Sequence, residues 1–237
     1  MAASLDSTFL WPHLAHGFLP FDDEKVDNLF GEDKPEFNIN NWKLPEITAA
    51  SNQQARPGYD SCKAHEYRDD PVTLKEKIKF LAKIVKKSKK FVVYSGAGLS
   101  TAAGIGDYAS RADNSAGIQK ARPDMWSEFD VRPTLAHRVF TSLHTAGYLK
   151  HWIQQNHDGL PQKAGFPQNA INEIHGAWYD PANPVVQMSG SLREDYFANL
   201  LEWEENTDFC LAVGTSLAGT FSQKINFFQF FYLFGRK

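Results

Sequence analysis

The chemistry in this chain sits in short polar clusters, each placed at the end of an apolar run. The first, Ser95-Gly96-Ala97-Gly98, follows Phe91-Val92-Val93-Tyr94. A buried strand opening into a glycine turn can bring bare backbone up to a phosphate, and Gly96 and Gly98 lack the Cβ that would keep it away. N–H groups at a following helix start would then point at the anion. The pattern G-x-G-x-x-G is incomplete, since its last position is Thr101, so the loop also reads as a plain structural connection. The other clusters are Gln155-Asn156-His157-Asp158, His175, and Gly214-Thr215-Ser216. An imidazole titrates near neutral pH, so His175 is a candidate general base. By itself it reads equally as a hydrogen-bonded structural histidine, and Asn156–Asp158 as an Asx-type turn.

Such clusters need a scaffold that gathers strand ends. Strand-like runs occur at Phe91–Tyr94, Lys150–Gln155, Ala170–Ile174, Pro184–Met188 and Phe209–Val213. A helix is expected after Asp69-Asp70-Pro71, with Thr73 and Glu76 as a capping box and Leu74, Ile78, Leu81 and Val85 on its apolar stripe. Lys75, Lys79, Lys83, Lys86 and Lys90 would form its solvated face. A second helix is expected over Thr134–Leu149, with Leu135, Val139 and Leu143 facing the core. This alternation predicts an α/β fold: a Rossmann-like parallel sheet with helices on both faces. Ligands bind such sheets at the carboxyl ends of the strands, where all four clusters fall.

Composition narrows the classes. The chain has 237 residues, 42% hydrophobic and 22% charged, as in a globular protein. A net charge of −3 gives no electrostatic case for nucleic acid. No apolar run approaches the ~20 residues of a membrane span, and the first residues lack the marks of a secretory or mitochondrial leader. The only cysteines, Cys62 and Cys210, are too few for a structural zinc site and suit a reducing compartment, so no metal and an intracellular location are expected. Residues 1–70, with scattered Trp11, Phe30, Phe37 and Trp42, are expected to form a partly irregular extension, and residues 71–237 the α/β domain.

Gly96–Arg111, GAGLSTAAGIGDYASR, resembles the GAGxSxxxGIPDFR motif of the sirtuins, a family of NAD-dependent protein-lysine deacylases. The matching positions are Gly96, Ala97, Gly98, Ser100, Gly104, Ile105 and Asp107. PTLAH (Pro133–His137) is similar to the family's TxxH, QQNHDGL (Gln154–Leu160) to TQNID, EIHG (Glu173–Gly176) to the segment of the catalytic histidine, and AVGTSL (Ala212–Leu217) to GTSL. All occur in the family's order. The resemblance implies NAD as cofactor, with His175 and Asn156 catalytic. It implies that Asn156 and Asp158 fix the nicotinamide ribose and carboxamide, and that Gln155 meets ribose hydroxyls. Gly214, Thr215 and Ser216 would meet phosphate or adenosine ribose. The implied substrate is an acyl-lysine protein or peptide, histone among the options.

The chain also departs from the pattern. Gly106, Tyr108 and Ala109 stand where the family has proline, phenylalanine and arginine, and Arg111 lies two residues past the expected arginine. His157 stands where the family has isoleucine. No four-cysteine module follows His175-Gly176. PVVQMSGSLR (Pro184–Arg193) resembles the segment whose backbone pairs with substrate peptide, with Ser189 and Ser191 at its aromatic and acidic positions. After GTSL comes an atypical tail carrying Phe227, Phe228, Phe230, Phe231, Tyr232 and Phe234, so the sheet is expected to be incomplete on its C-terminal side. Two other readings stay open here: mono-ADP-ribosyl transfer from the same cleft, and a catalytically silent NAD-binding or interaction module.

Overall fold

In a computed structural model of the chain, the described residues are 42–50, 52, 65–106, 131–187, 190–215 and the backbone of 230–233. Strands β1 (Glu46–Ala49) and β2 (Glu66–Arg68) form an antiparallel pair. Helix α1 (Pro71–Lys87) leads into β3 (Phe91–Ser95). Then come α2 (Leu135–Thr145), β4 (Leu149–Gln154), α3 (Leu160–Lys163), β5 (Ile171–Glu173), α4 (Glu194–Asn206), β6 (Phe209–Val213) and β7 (Phe230–Leu233).

The main sheet has the order β5-β4-β3-β6-β7, and every pairing in it is parallel. All five residues of β3 are buried, as expected of a central parallel strand covered on both faces. On one face Phe91, Val93, Trp152, Ile171, Phe209 and Leu211 pack against Phe80, Ile84 and Val85 of α1 and Phe140 of α2. On the other, Val92, Tyr94, Ile153, Cys210 and Ala212 pack against Leu200, Phe197 and Trp203 of α4. Helices therefore cover both faces. The chain builds outward from β3 to β5, then returns to place β6 on the opposite side of β3. That reversal makes the carboxyl ends of β3 and β6 the switch point, where sheets of this kind bind ligands.

Several expected details differ. Helix α1 starts at Pro71, whose fixed φ suits a first helical position, and Asp70 caps it by accepting from the Val72 N–H at 3.1 Å. The Thr73–Glu76 capping box does not form; Thr73 is buried and accepts from the Lys43 N–H at 3.1 Å. The buried face of α1 is Thr73, Lys77, Phe80, Ile84 and Val85, while Leu74 and Ile78 are exposed. The stripe was displaced by Lys77, which a polarity pattern assigns to solvent. Both Asp69 carboxylate oxygens accept from its ammonium, at 2.7 and 2.8 Å, and it lies 5.1 Å from the Trp42 ring.

Helix α2 ends at Thr145 rather than Leu149, because Gly147 turns at φ +78° and Leu149 opens β4. It buries His137 and Phe140, and leaves Leu135 and Val139 exposed at 70% and 44%. Leu143 packs partly against the core. Residues 184–187 make no strand. Part of the expected N-terminal extension joins the core through buried Trp42. The backbone of β7 pairs with β6, so the C-terminal side of the sheet carries a strand where a gap was expected.

Two buried histidines make the fold sensitive to acid. His151 stacks on Trp203 with ring centroids 4.8 Å apart and donates from Nε2 to Asn199 Oδ1 at 3.0 Å. Burial pulls its pKa down to about 4, and burial does the same to His137. The unfolded chain therefore takes up protons that the folded one resists as pH falls from the ordinary histidine value near 6.5 toward 4. The stability these groups give is complete above about pH 6.5 and is lost below it. Urea titrations should show unfolding free energy dropping across that window, by about 1–3 kcal/mol per histidine. His151→Phe, which keeps an aromatic face for Trp203, should flatten the slope; an unaltered slope would exclude His151 as a source.

Candidate functional site

The loops that leave β3 and β6 touch. Gly96 N–H donates to Val213 O at 3.2 Å, and Gly98 N–H donates to Gly214 O at 2.7 Å. A Cβ on Gly98 would lie 2.9 Å from Gly214 Cα, and one on Gly214 would lie 2.3 Å from Leu99 N. Gly214 also holds φ +64°, a left-handed conformation. These glycines serve the contact between two loops, a role that the sequence did not show. The N–H groups of Gly96, Gly98, Leu99 and Ser100 all bond to carbonyls of the protein. No α-helix starts within residues 96–106; the chain makes two 3-10 turns, Ala97–Leu99 and Thr101–Ala103, the second ended by Gly104 at φ +89°.

The loop after β4 locks onto this pair. Ser100 is fully buried, and its hydroxyl donates to Asp158 Oδ2 at 2.6 Å. Asn156 Nδ2 donates to Ser100 Oγ at 3.0 Å and to Gly96 O at 3.1 Å. The other Asp158 oxygen accepts from Leu160 N–H at 2.9 Å. Gln155 Oε1 accepts from the Thr215 hydroxyl at 2.8 Å, joining the β4 and β6 loops. Gly96, Ala97, Gly98, Ser100, Gln155, Asn156, Asp158, Gly214 and Thr215 are therefore brought together. Gly104 and Ile105 lie just beyond, at the end of the second turn. Asp107, Arg111, Ser189 and Ser216 lie outside the described residues.

Helix α2 supplies a clamp to which the sequence reading gave no role, although its motif was visible. Thr134 caps the helix and its hydroxyl reaches Leu99 O at 3.2 Å, while Thr134 N–H donates to His137 Nδ1 at 3.2 Å. Burial holds His137 neutral at physiological pH despite the pull of Asp158. A second missed feature is a polar row under the site. Ser95, Gln154 and Glu173 are in register across three strands and fully or nearly fully buried. Ser95 Oγ accepts from Trp152 Nε1 at 2.7 Å, and Glu173 Oε2 accepts from Gln168 Nε2 at 3.3 Å. Burial pushes the Glu173 carboxyl up. The row forms only when the three strands come into register.

His175 follows β5 on a tight turn. Its carbonyl accepts from Val186 N–H at 2.9 Å, and Gly176 holds φ +86° with no room for a Cβ, which would lie 2.3 Å from Pro184 O. Burial holds the imidazole below its ordinary pKa, and neighbouring His157 adds to this, against the pull of the Gln155 backbone. His175 is thus unprotonated at neutral pH and able to accept a proton. Among the described residues no group of three or more His, Cys, Asp or Glu could hold a metal ion. Cys62 lies outside them, and Cys210 is a free thiol buried in the sheet.

No family-level sequence model matches the chain. Individual relatives do. NAD-dependent protein deacetylase sirtuin-7 of Rattus norvegicus is 41% identical over 115 residues, covering 48% of this chain and 29% of the relative. NAD-dependent protein deacetylase Sirt6 of Drosophila melanogaster is 37% identical over 118 residues, covering 49% and 37% respectively. Over the matched segment the chain is similar to the sirtuins. The chain spans less than a third of the length of the sirtuin-7 relatives, 29% of each. Two solved structures share the sirtuin fold. A Sir2–p53 peptide–NAD+ complex aligns with TM-score 0.51 at 19% identity, over 63% of this chain and 80% of that one. A structure reported for the mechanism and regulation of Sir2 enzymes aligns with TM-score 0.52 at 24% identity, over 65% and 81%.

The loop contact in this sirtuin-like segment predicts unequal costs for two glycine replacements. Gly214→Ala meets both a positive φ and a clash with Leu99, and should destabilise by about 2–4 kcal/mol in urea titrations. Gly104→Ala meets a positive φ but no atom within 4 Å, and should cost about 1–2 kcal/mol. Equal, mild losses would mean that the two loops are not held together by that approach.

Proposed function

We propose that this chain is an NAD-dependent protein-lysine deacylase, a deacetylase of the sirtuin type. The observation that carries the reading is the placement of His175 against the Gln155 backbone, next to the polar loops that gather at the carboxyl ends of β3, β4 and β6. The residues present fit a dinucleotide there. Hydroxyl and amide groups from three loops converge, and the side of Gly104 is open. Gly96–Ser100, with Gly104 and Ile105, would line the pyrophosphate end, and Gly214 and Thr215 the adenosine side. Asp107, Arg111 and Ser216 are proposed to join them. Gln155 and Asn156 would meet the nicotinamide ribose. Asp158 accepts from Ser100 and Leu160, which holds Ser100 and the loop in place, and it is proposed to help fix the nicotinamide ribose and carboxamide with its remaining lone pairs.

A bound NAD would supply an electrophilic ribose carbon, with nicotinamide as leaving group, for the acyl oxygen. His175, held neutral, would be the base that accepts a proton from a hydroxyl there. The substrate is proposed to be an acyl-lysine in a protein or peptide, histone being the narrower option. The solved Sir2 relatives were obtained with a p53 peptide and with a propionylated peptide. Exposed Pro184 and Val185 beside the His175 turn suit a docking peptide backbone. No helix among the described residues is long and apolar enough to cross a membrane. An intracellular place of action is proposed on the likeness to the sirtuins alone.

His175→Ala separates the chemistry from the binding. The variant should lose NAD-dependent deacetylation of an acetyl-lysine peptide, yet still gain thermal stability from NAD, about 2.7 kcal/mol at a hundredfold excess over Kd. Normal turnover by the variant would make His175 structural and defeat the mechanism.

A further inference from the structure

We propose that His157 is a positioning residue for His175: it fastens the turn that carries the base and gives it a second imidazole as neighbour. The inference deepens the deacylase reading and rests on it for the role of His175. At this position the sirtuin pattern carries isoleucine, which can neither donate a hydrogen bond nor take up charge.

Two bonds tie His157 to the chain just after His175. Its main-chain carbonyl accepts from Trp178 N–H at 3.0 Å, and its Nδ1 meets Gly176 O at 2.9 Å. A carbonyl oxygen only accepts, so Nδ1 carries the proton of the neutral ring and Nε2 is the basic nitrogen. The tied segment is otherwise demanding. Gly176 holds φ +86°, Ala177 N–H donates to Asn183 O at 2.9 Å, and Asn183 Nδ2 donates to Glu173 O at 3.0 Å. His157 fastens this turn to the loop that also bears Gln155, Asn156 and Asp158. The residues of that loop thereby keep a fixed distance from the base.

The two imidazole centroids are 6.4 Å apart, and both rings are half-buried. Trp178 lies 6.1 Å from His157 on another side. The other groups near His175 are accounted for. Its carbonyl is bonded to Val186, the Gln155 backbone faces its ring, Asp158 is turned to Ser100 and Leu160, and the Glu173 carboxyl is held by Gln168. Across that gap the His157 imidazole adds to burial in holding the His175 pKa below its ordinary value.

Two variants of the full chain separate the fastening from the effect of the imidazole. His157→Asn keeps an amide N–H for Gly176 O and removes the imidazole; His157→Ile removes both. The first readout is the NMR titration of the His175 ring, assigned against His175→Ala. The second is the pH profile of kcat/KM on an acetyl-lysine peptide with NAD. In both variants His175 should titrate at higher pH than in the parent, and the acid limb of the profile should move the same way. His157→Ile should in addition lower kcat about tenfold at the pH optimum, with His157→Asn staying close to the parent. His175 titrating at the parent's pH in both variants would overturn the proposal, as would full kcat in His157→Ile. Absence of turnover in the parent would defeat the deacylase reading instead, with the NMR titration still deciding the role of His157.

Discussion

The site depends on one close approach, that of Gly98 to Gly214. A hydrogen bond of 2.7 Å joins them, and neither residue has space for a side chain on the facing side. The contact welds the exits of the two central strands, which are already paired in register from Phe91–Phe209 to Ser95–Val213. With the exits fixed, Leu99 and Ser100 turn under the sheet's carboxyl edge. The loop after β4 can then reach Ser100 from one side and Thr215 from the other. If the two loops stood an atom's width further apart, neither reach would close.

What fills the space is polar and buried, so its satisfaction decides its cost. Ser100 donates to one carboxylate oxygen and accepts from an amide, and the other carboxylate oxygen has a main-chain donor. A network completed in this way rigidifies a loop, whereas the same groups left partly paired would weaken it. Thr134 and His137 extend the network into α2 through Leu99 O, so a surface helix shares in holding the glycine loop. His175 stands on a separate turn, fastened by Gly176, Asn183 and His157. The scaffold is thus two rigid pieces, the welded glycine loops and the histidine turn, both tied to the loop after β4.

The fold was legible because parallel strands buried on both faces leave continuous apolar runs, as in Phe91–Tyr94 and Phe209–Val213. Helix faces were less legible. Lys77 and His137 occupy core positions, and each is tolerated through a partner that local pattern does not reveal: Asp69 for the lysine, Thr134 for the histidine. The polar clusters were found by their order and by their place at strand ends. Their local roles were not. That Gly96 and Gly98 pack against Gly214 is a contact between segments far apart in sequence. The buried row of Ser95, Gln154 and Glu173 is not visible in the sequence, because it forms only when three strands come into register.

We propose that these pieces together form an NAD-consuming deacylase centre. Mass spectrometry of an acetyl-lysine peptide incubated with the protein, with and without NAD, tests it most directly. Loss of the acetyl mass together with release of nicotinamide, both only when NAD is present, is the predicted result. An unchanged peptide with no nicotinamide released, from folded protein and at saturating NAD, would contradict it.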